Sequence, residues 1–102
     1  MHELRTKTAD LLRGSQRQRV ILIETDIDTA RTFLQLADTE LRMGNMERVT
    51  RLVFAARTAH EAMSNFLSRV TDSEDRKRLG EELSGLDEAI RDVERRSRKA
   101  SR

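Results

Sequence analysis

No proline occurs anywhere in this chain, and from residue 18 onward its apolar residues recur at steps of three and four. Proline is the residue that stops a helix, and a three-four apolar rhythm is the signature of a helix with one buried face. With only four glycines as alternative breaks, the chain is committed to long helices over a sheet. Its 102 residues suit one domain with one modest core. That core is aliphatic, because the chain has no Trp or Tyr and its only rings are Phe33, Phe54 and Phe66.

Residues 2–13 can form a short helix with Leu4, Leu11 and Leu12 on one side, and Gly14-Ser15 offers a break after it; with so small an apolar face the piece either docks on the bundle, merges into the next helix or frays. From Gln18 to Met43 the residues Val20, Ile23, Ile27, Ala30, Leu34, Ala37 and Leu41 lie on one stripe, widened by Phe33 and Leu36. Met43-Gly44-Asn45 reads as a stop, with Gly44 in the left-handed conformation and Asn45 capping the next helix. So short a connection makes the two helices antiparallel neighbours.

The second long helix, Met46 to Val70, carries Met46, Val49, Val53, Ala56, His60, Met63, Leu67 and Val70, beside a second row of Leu52, Ala59 and Phe66. Two adjoining rows let one helix face two neighbours. A capping box from Thr71 to Glu74 opens the third helix, whose stripe is Leu79, Leu83, Leu86, Ile90 and Val93. Beyond Val93 the pattern gives way to a basic run that reads as a frayed tail. No such helix buries its stripe alone. The expectation is an all-α, antiparallel three-helix bundle over 18–94, with residues 1–17 as a basic segment or short extra helix and 95–102 as a basic tail.

Charge is segregated along the chain: residues 1–20 carry a net +3, residues 91–102 a net +4, and the stretch between them −5. An acidic body with basic ends argues against a nucleic-acid-binding face on the bundle. The basic tail, with Arg95, Arg96, Arg98 and Lys99, has no aromatic residues for base stacking. It could touch phosphates non-specifically and otherwise serves as a solvated end. The chain contains no cysteine, which excludes a disulfide scaffold and thiolate chemistry and fits a reducing compartment. No segment has the apolar length of a membrane span, and none follows the start as a signal peptide would. The expected setting is the cytoplasm.

Leu36-Ala37, the turn Gly44-Asn45-Met46-Glu47, the positions Val49, Val53 and Ala56, and the leucine-rich third helix resemble the microtubule-interacting-and-transport domain, a three-helix bundle related to the tetratricopeptide hairpin. The resemblance covers residues 30–90 and rests on packing residues. It implies binding of a short peptide in a groove beside the third helix, around Leu79, Leu83, Leu86 and Ile90.

Two histidines invite a different reading. His2-Glu3-Leu4-Arg5-Thr6 resembles the phosphoacceptor box of sensor histidine kinases, although Lys7 stands where that family has Pro. His60 lies on the apolar seam of the second helix and is followed by Glu61-Ala62-Met63-Ser64, where phosphotransfer domains have Lys and small residues. A histidine at the edge of a core, with its polar atoms satisfied, is the simpler expectation. Glu24, Asp26, Asp28 and the run Asp72, Glu74, Asp75 fall where negative charge complements a helix start or solvates the chain. Glu40, Glu61 and Glu88 do not make the Glu-x-x-His pairs of di-iron bundles. No constellation implies catalysis, a metal or a cofactor. The expectation is a non-enzymatic interaction or assembly module with a protein or peptide partner. The alternatives are a histidine phosphorelay component and a nucleic-acid accessory acting through its basic ends. Ile21, Leu22 and Phe54, off the main stripes, leave a homodimer open.

Overall fold

The computed structural model describes the backbone of residues 2–100 and the side chains of residues 15–100. Three helices follow one another, α1 (His2–Arg42), α2 (Met46–Leu67) and α3 (Ser73–Ala100), and each packs against both others. The fold is an all-α three-helix bundle. At 1.5 Å per residue α1 alone is about 60 Å long, and it sets the long dimension of a rod of 68 × 19 × 15 Å. The radius of gyration, 17.8 Å, accordingly exceeds the ~13 Å of a compact chain of about 100 residues.

One continuous core runs through the rod. Ile23, Ile27, Ala30, Leu34 and Ala37 of α1 meet Val49, Ala56 and Met63 of α2 and all five stripe residues of α3, from Leu79 to Val93. Val20, Phe33, Leu41, Leu52, Val53, Ala59, Phe66 and Leu67 pack around it, half-buried. The three-four spacing thus predicts the inner face of each helix.

The α1–α2 turn is a Schellman motif. Asn45 N–H donates to the Glu40 carbonyl at 2.9 Å and Gly44 N–H to that of Leu41 at 3.1 Å, with Gly44 at φ +79°. Asn45 occupies the cap position of α2 but makes no side-chain capping bond. After α2, Arg69 and Val70 N–H groups donate back to Phe66 and Leu67 in tight turns, and Val70 returns to the core.

Two expectations about the helix ends are corrected, and one left open is decided. The start of α3 is capped one residue later than the Thr71–Glu74 box: Asp72 Oδ1 accepts from Asp75 N–H at 2.9 Å. Asp is the stronger N-cap and satisfies the third N–H of the helix. Of the alternatives for residues 2–13 the merged one holds: the break offered at Gly14-Ser15 is not used, and α1 passes through it as one helix. An interior glycine costs only about 1 kcal/mol relative to Ala, too little to end a helix when no proline follows. The segment expected as a frayed tail is helical to Ala100. Its basic side chains sit at a helix C-terminus, where the dipole favours them.

Gly85 lies in the interior of α3, and a Cβ placed there would meet nothing within 4 Å. Gly85→Ala is therefore expected to raise stability by roughly 0.5–1 kcal/mol in urea unfolding. Gly44→Ala, which forces a side chain into the left-handed region, is expected to lower it by about 1 kcal/mol.

Candidate functional site

A three-helix bundle has three seams, and here they differ in how they are closed. Between α1 and α3, Arg78 bridges Glu24 at 2.7 Å and Arg96 bridges Asp38. Between α2 and α3, Arg57 spans Asp87, at 3.4 Å, and Glu94, while His60 Nε2–H donates to the Leu83 carbonyl at 3.0 Å. Among the described residues the α1–α2 seam has a single ion pair, Arg48–Glu40 at 3.4 Å beside the turn. Its other end is tied by Arg19, which donates to the Arg69 carbonyl at 3.3 Å.

Those two ties fix the register of the antiparallel pair. Counting inward from them, Leu22 stands level with Phe66, Asp26 with Ala62, Thr29 with Ala59, Phe33 with Ala55 and Leu36 with Leu52. The helical phase puts these residues on the outer side of the α1–α2 seam, away from α3, since the core positions of α2 are Val49, Ala56 and Met63. Between the two ties Asp26 is the only charged residue in these layers.

The face is apolar beyond what its threonines suggest. Thr29 Oγ1 donates to the Thr25 carbonyl at 3.0 Å, and Thr32 and Thr39 bond back to Asp28 and Gln35 in the same way. With the hydroxyl turned to its own helix, the methyl is what the side chain offers to solvent. Leu22 and Leu36 are 47% and 50% exposed. On α2 the small residues Ala55, Ala59 and Ala62 would allow another helix to come close.

The other exposed apolar side chains lie elsewhere. Ile21 shares its side of α1 with Glu24 and Asp28. Phe54, 73% exposed, projects from α2 next to Thr50 and Arg57. It thereby borders an α2–α3 groove of about 270 Å³ lined by Val49, Thr50, Val53, Glu94, Ser97 and Arg98. The apolar residues singled out from sequence thus fall on three surfaces rather than one patch.

Leu79, Leu83, Leu86 and Ile90, expected around a peptide groove, are all in the core, at most 4% exposed. A ligand beside α3 would meet their polar neighbours instead. Arg95 and Arg96 pair with Asp92, Arg96 also holds Asp38, and Arg98 donates to the Glu94 carbonyl. Lys99 is exposed in the last turn of α3. His60 is a structural donor, tied to Leu83 as above. The His2 side chain, with Leu4, Leu11 and Leu12, lies outside the described side chains. Among the described residues no cluster of three or more His, Asp or Glu is placed to hold a metal ion, and no helix is long and apolar enough to cross a membrane.

Leu36, expected to widen the core stripe of α1, is half-exposed instead, and Ala55, Ala62 and Arg57 lie off the apolar rows that mark α2 in the sequence. The seven-residue spacing of Leu22, Thr29, Leu36 and Met43 was the available signal. Compared with known protein families, curated proteins and solved structures, the chain matches none.

One ion pair titrates in a readable way. The hydrogen bond from Arg96 holds the Asp38 carboxyl below the usual carboxylate range, outweighing partial burial, and Arg42 adds to it. A depressed folded-state value means stability that is present above the unfolded value, near 3.8, and lost as pH falls through the folded one. Asp38→Asn is expected to flatten the acid limb of the stability–pH profile below about pH 4, measured by thermal melts from pH 2 to 6.

Proposed function

We propose that this chain is a non-enzymatic protein-interaction module, and that it docks the α1–α2 face, which carries one charged residue, Asp26, between its ties, against a helical protein surface. The observation that carries this is the contrast between seams. Two are crossed by ion pairs between their ends, whereas among the described residues the third is tied only at its ends and leaves Leu22 and Leu36 half-exposed between the ties. Exposed apolar surface gathered on one face favours association. The resemblance to the microtubule-interacting-and-transport domain points to the same class of activity. Here the recognition surface passes from the third helix to α1 and α2, because the third-helix leucines are committed to the core. The absence of cysteine suits a cytoplasmic setting.

Affinity capture with the full chain tests the reading. Leu36→Glu places a charge in the layer of the face nearest the turn, at a half-exposed position, and Phe54→Glu places one on another surface. A module working through the α1–α2 face loses its captured proteins with Leu36→Glu and keeps them with Phe54→Glu. Equal capture by both variants overturns the proposal.

A further inference from the structure

Resting on that reading of the α1–α2 face, we infer that its occupant is a second copy of the chain, related by a two-fold axis parallel to the rods, so that α1 and α2 of each copy close a four-helix core. A face two helices wide is filled by another pair of antiparallel helices with the same spacing, and a second copy supplies one. With the axis along the rods, α1 of one copy lies over α2 of the other, antiparallel and level.

The layers then match. The ring of Phe33 falls on Ala55 of the second copy, Thr29 on Ala59, Leu36 on Leu52 and Leu22 on Phe66, while Asp26 faces the small Ala62, which leaves room for water at its carboxylate. The large side chain meets a small one in the layer that holds the ring. At the turn end Glu40 of each copy faces Arg48 of the other, so the pair that closes one seam is repeated across the interface. A two-fold axis across the rods fails this test. It would set α1 on α1 and press Glu40 against Leu22, burying that carboxylate without the Arg48 partner that the parallel axis gives it.

The face is about 27 Å long at 1.5 Å per residue and about 20 Å wide at ~10 Å per helix. That is ~500 Å² before corrugation is counted, against the ~800 Å² per partner of a standard interface. A dissociation constant on the order of micromolar is the matching expectation for an interface at the small end of the range.

Sedimentation velocity of the full chain from about 1 to 300 µM is expected to pass from monomer to dimer, brackets set by that affinity. Leu36→Glu is expected to weaken association at least about tenfold, with unchanged helical circular dichroism. Ala59→Glu should do the same, and Phe54→Glu should leave association within about twofold, as expected away from an interface. The chain has no cysteine, so Met43→Cys provides a single spin-label site at the exposed turn. Parallel rods bring the two labels within about 25 Å of each other, and rods related by the other axis separate them by about 36 Å. A monomer at every concentration overturns the inference, even where capture through Leu36 succeeds and the module reading stands. A dimer indifferent to Leu36→Glu and Ala59→Glu, or one with the long label distance, overturns it as well.

Discussion

Ile90→Ala is expected to lower the stability of this bundle by about 3 kcal/mol, within the 2–5 kcal/mol range for truncating a buried aliphatic side chain. Ile90 is fully buried in α3, between Leu86 and Val93. α3 joins the core through only five large side chains, spaced by polar residues and two interior glycines. The loss combines the transfer free energy of the removed carbons with a cavity that three stiff helices cannot collapse into. For a domain of this size, with total stability on the order of 5–15 kcal/mol, that is a large fraction. Urea unfolding followed by circular dichroism at 222 nm measures it. Leu36→Ala, at a half-exposed position on the outer face, sets the comparison at well under half that cost. Equal effects of the two substitutions would mean that Ile90 is not where the core places it.

The inner faces were legible because burial leaves a period in the sequence. Ile23, Ile27 and Ala30, or Leu79, Leu83 and Leu86, repeat at the interval that keeps a side chain on one side of a helix, and all are buried. The Gly44 turn was legible because a positive φ favours glycine. Helix ends were read less well, since they are decided by differences of about 1 kcal/mol between neighbouring residues. Thr71 and Asp72 compete for one cap, and Gly14 weakens α1 without ending it.

The outer face was the least legible. Leu36 sits beside the core stripe in sequence, where it is expected to widen that stripe. Only the register fixed by Arg48–Glu40 and Arg19–Arg69 shows that it stands level with Leu52 on the far side of the seam. The same limit governs charge. Arg57, Arg78 and Arg96 look alike in sequence, but each closes a seam against a carboxylate at least 30 residues away. No periodicity encodes such pairings. Leu79, Leu83, Leu86 and Ile90 are themselves buried, which the sequence does not distinguish from a groove lining, because an amphipathic stripe looks the same whether it packs inside its own bundle or waits for a ligand.

Ala56→Leu is expected to cost about 1–3 kcal/mol, the usual penalty for forcing extra methylenes into a packed core. Ala30, Ala37 and Ala56 are all fully buried, and helices lined with small side chains lie closer together than those lined with leucine. The larger side chain must therefore push α2 away from its neighbours or leave its preferred rotamer. Thermal melts of the variant should show a fall of roughly 4–20 °C for a domain of about 100 residues. Displacing α2 also shifts Leu52, Ala55 and Ala59 relative to Leu36, Phe33 and Thr29, because the level layers depend on the spacing of the two helices. The variant should consequently self-associate less than the parent chain even where it remains fully folded. Ala62→Leu, on the exposed outer side of α2, should leave the melting temperature within about 2 °C, as surface substitutions usually do. The joint loss of stability and association in the first variant would mark core spacing as what aligns the face. A stable Ala56→Leu with normal packing would show that the two helices are not held as closely as their buried alanines require.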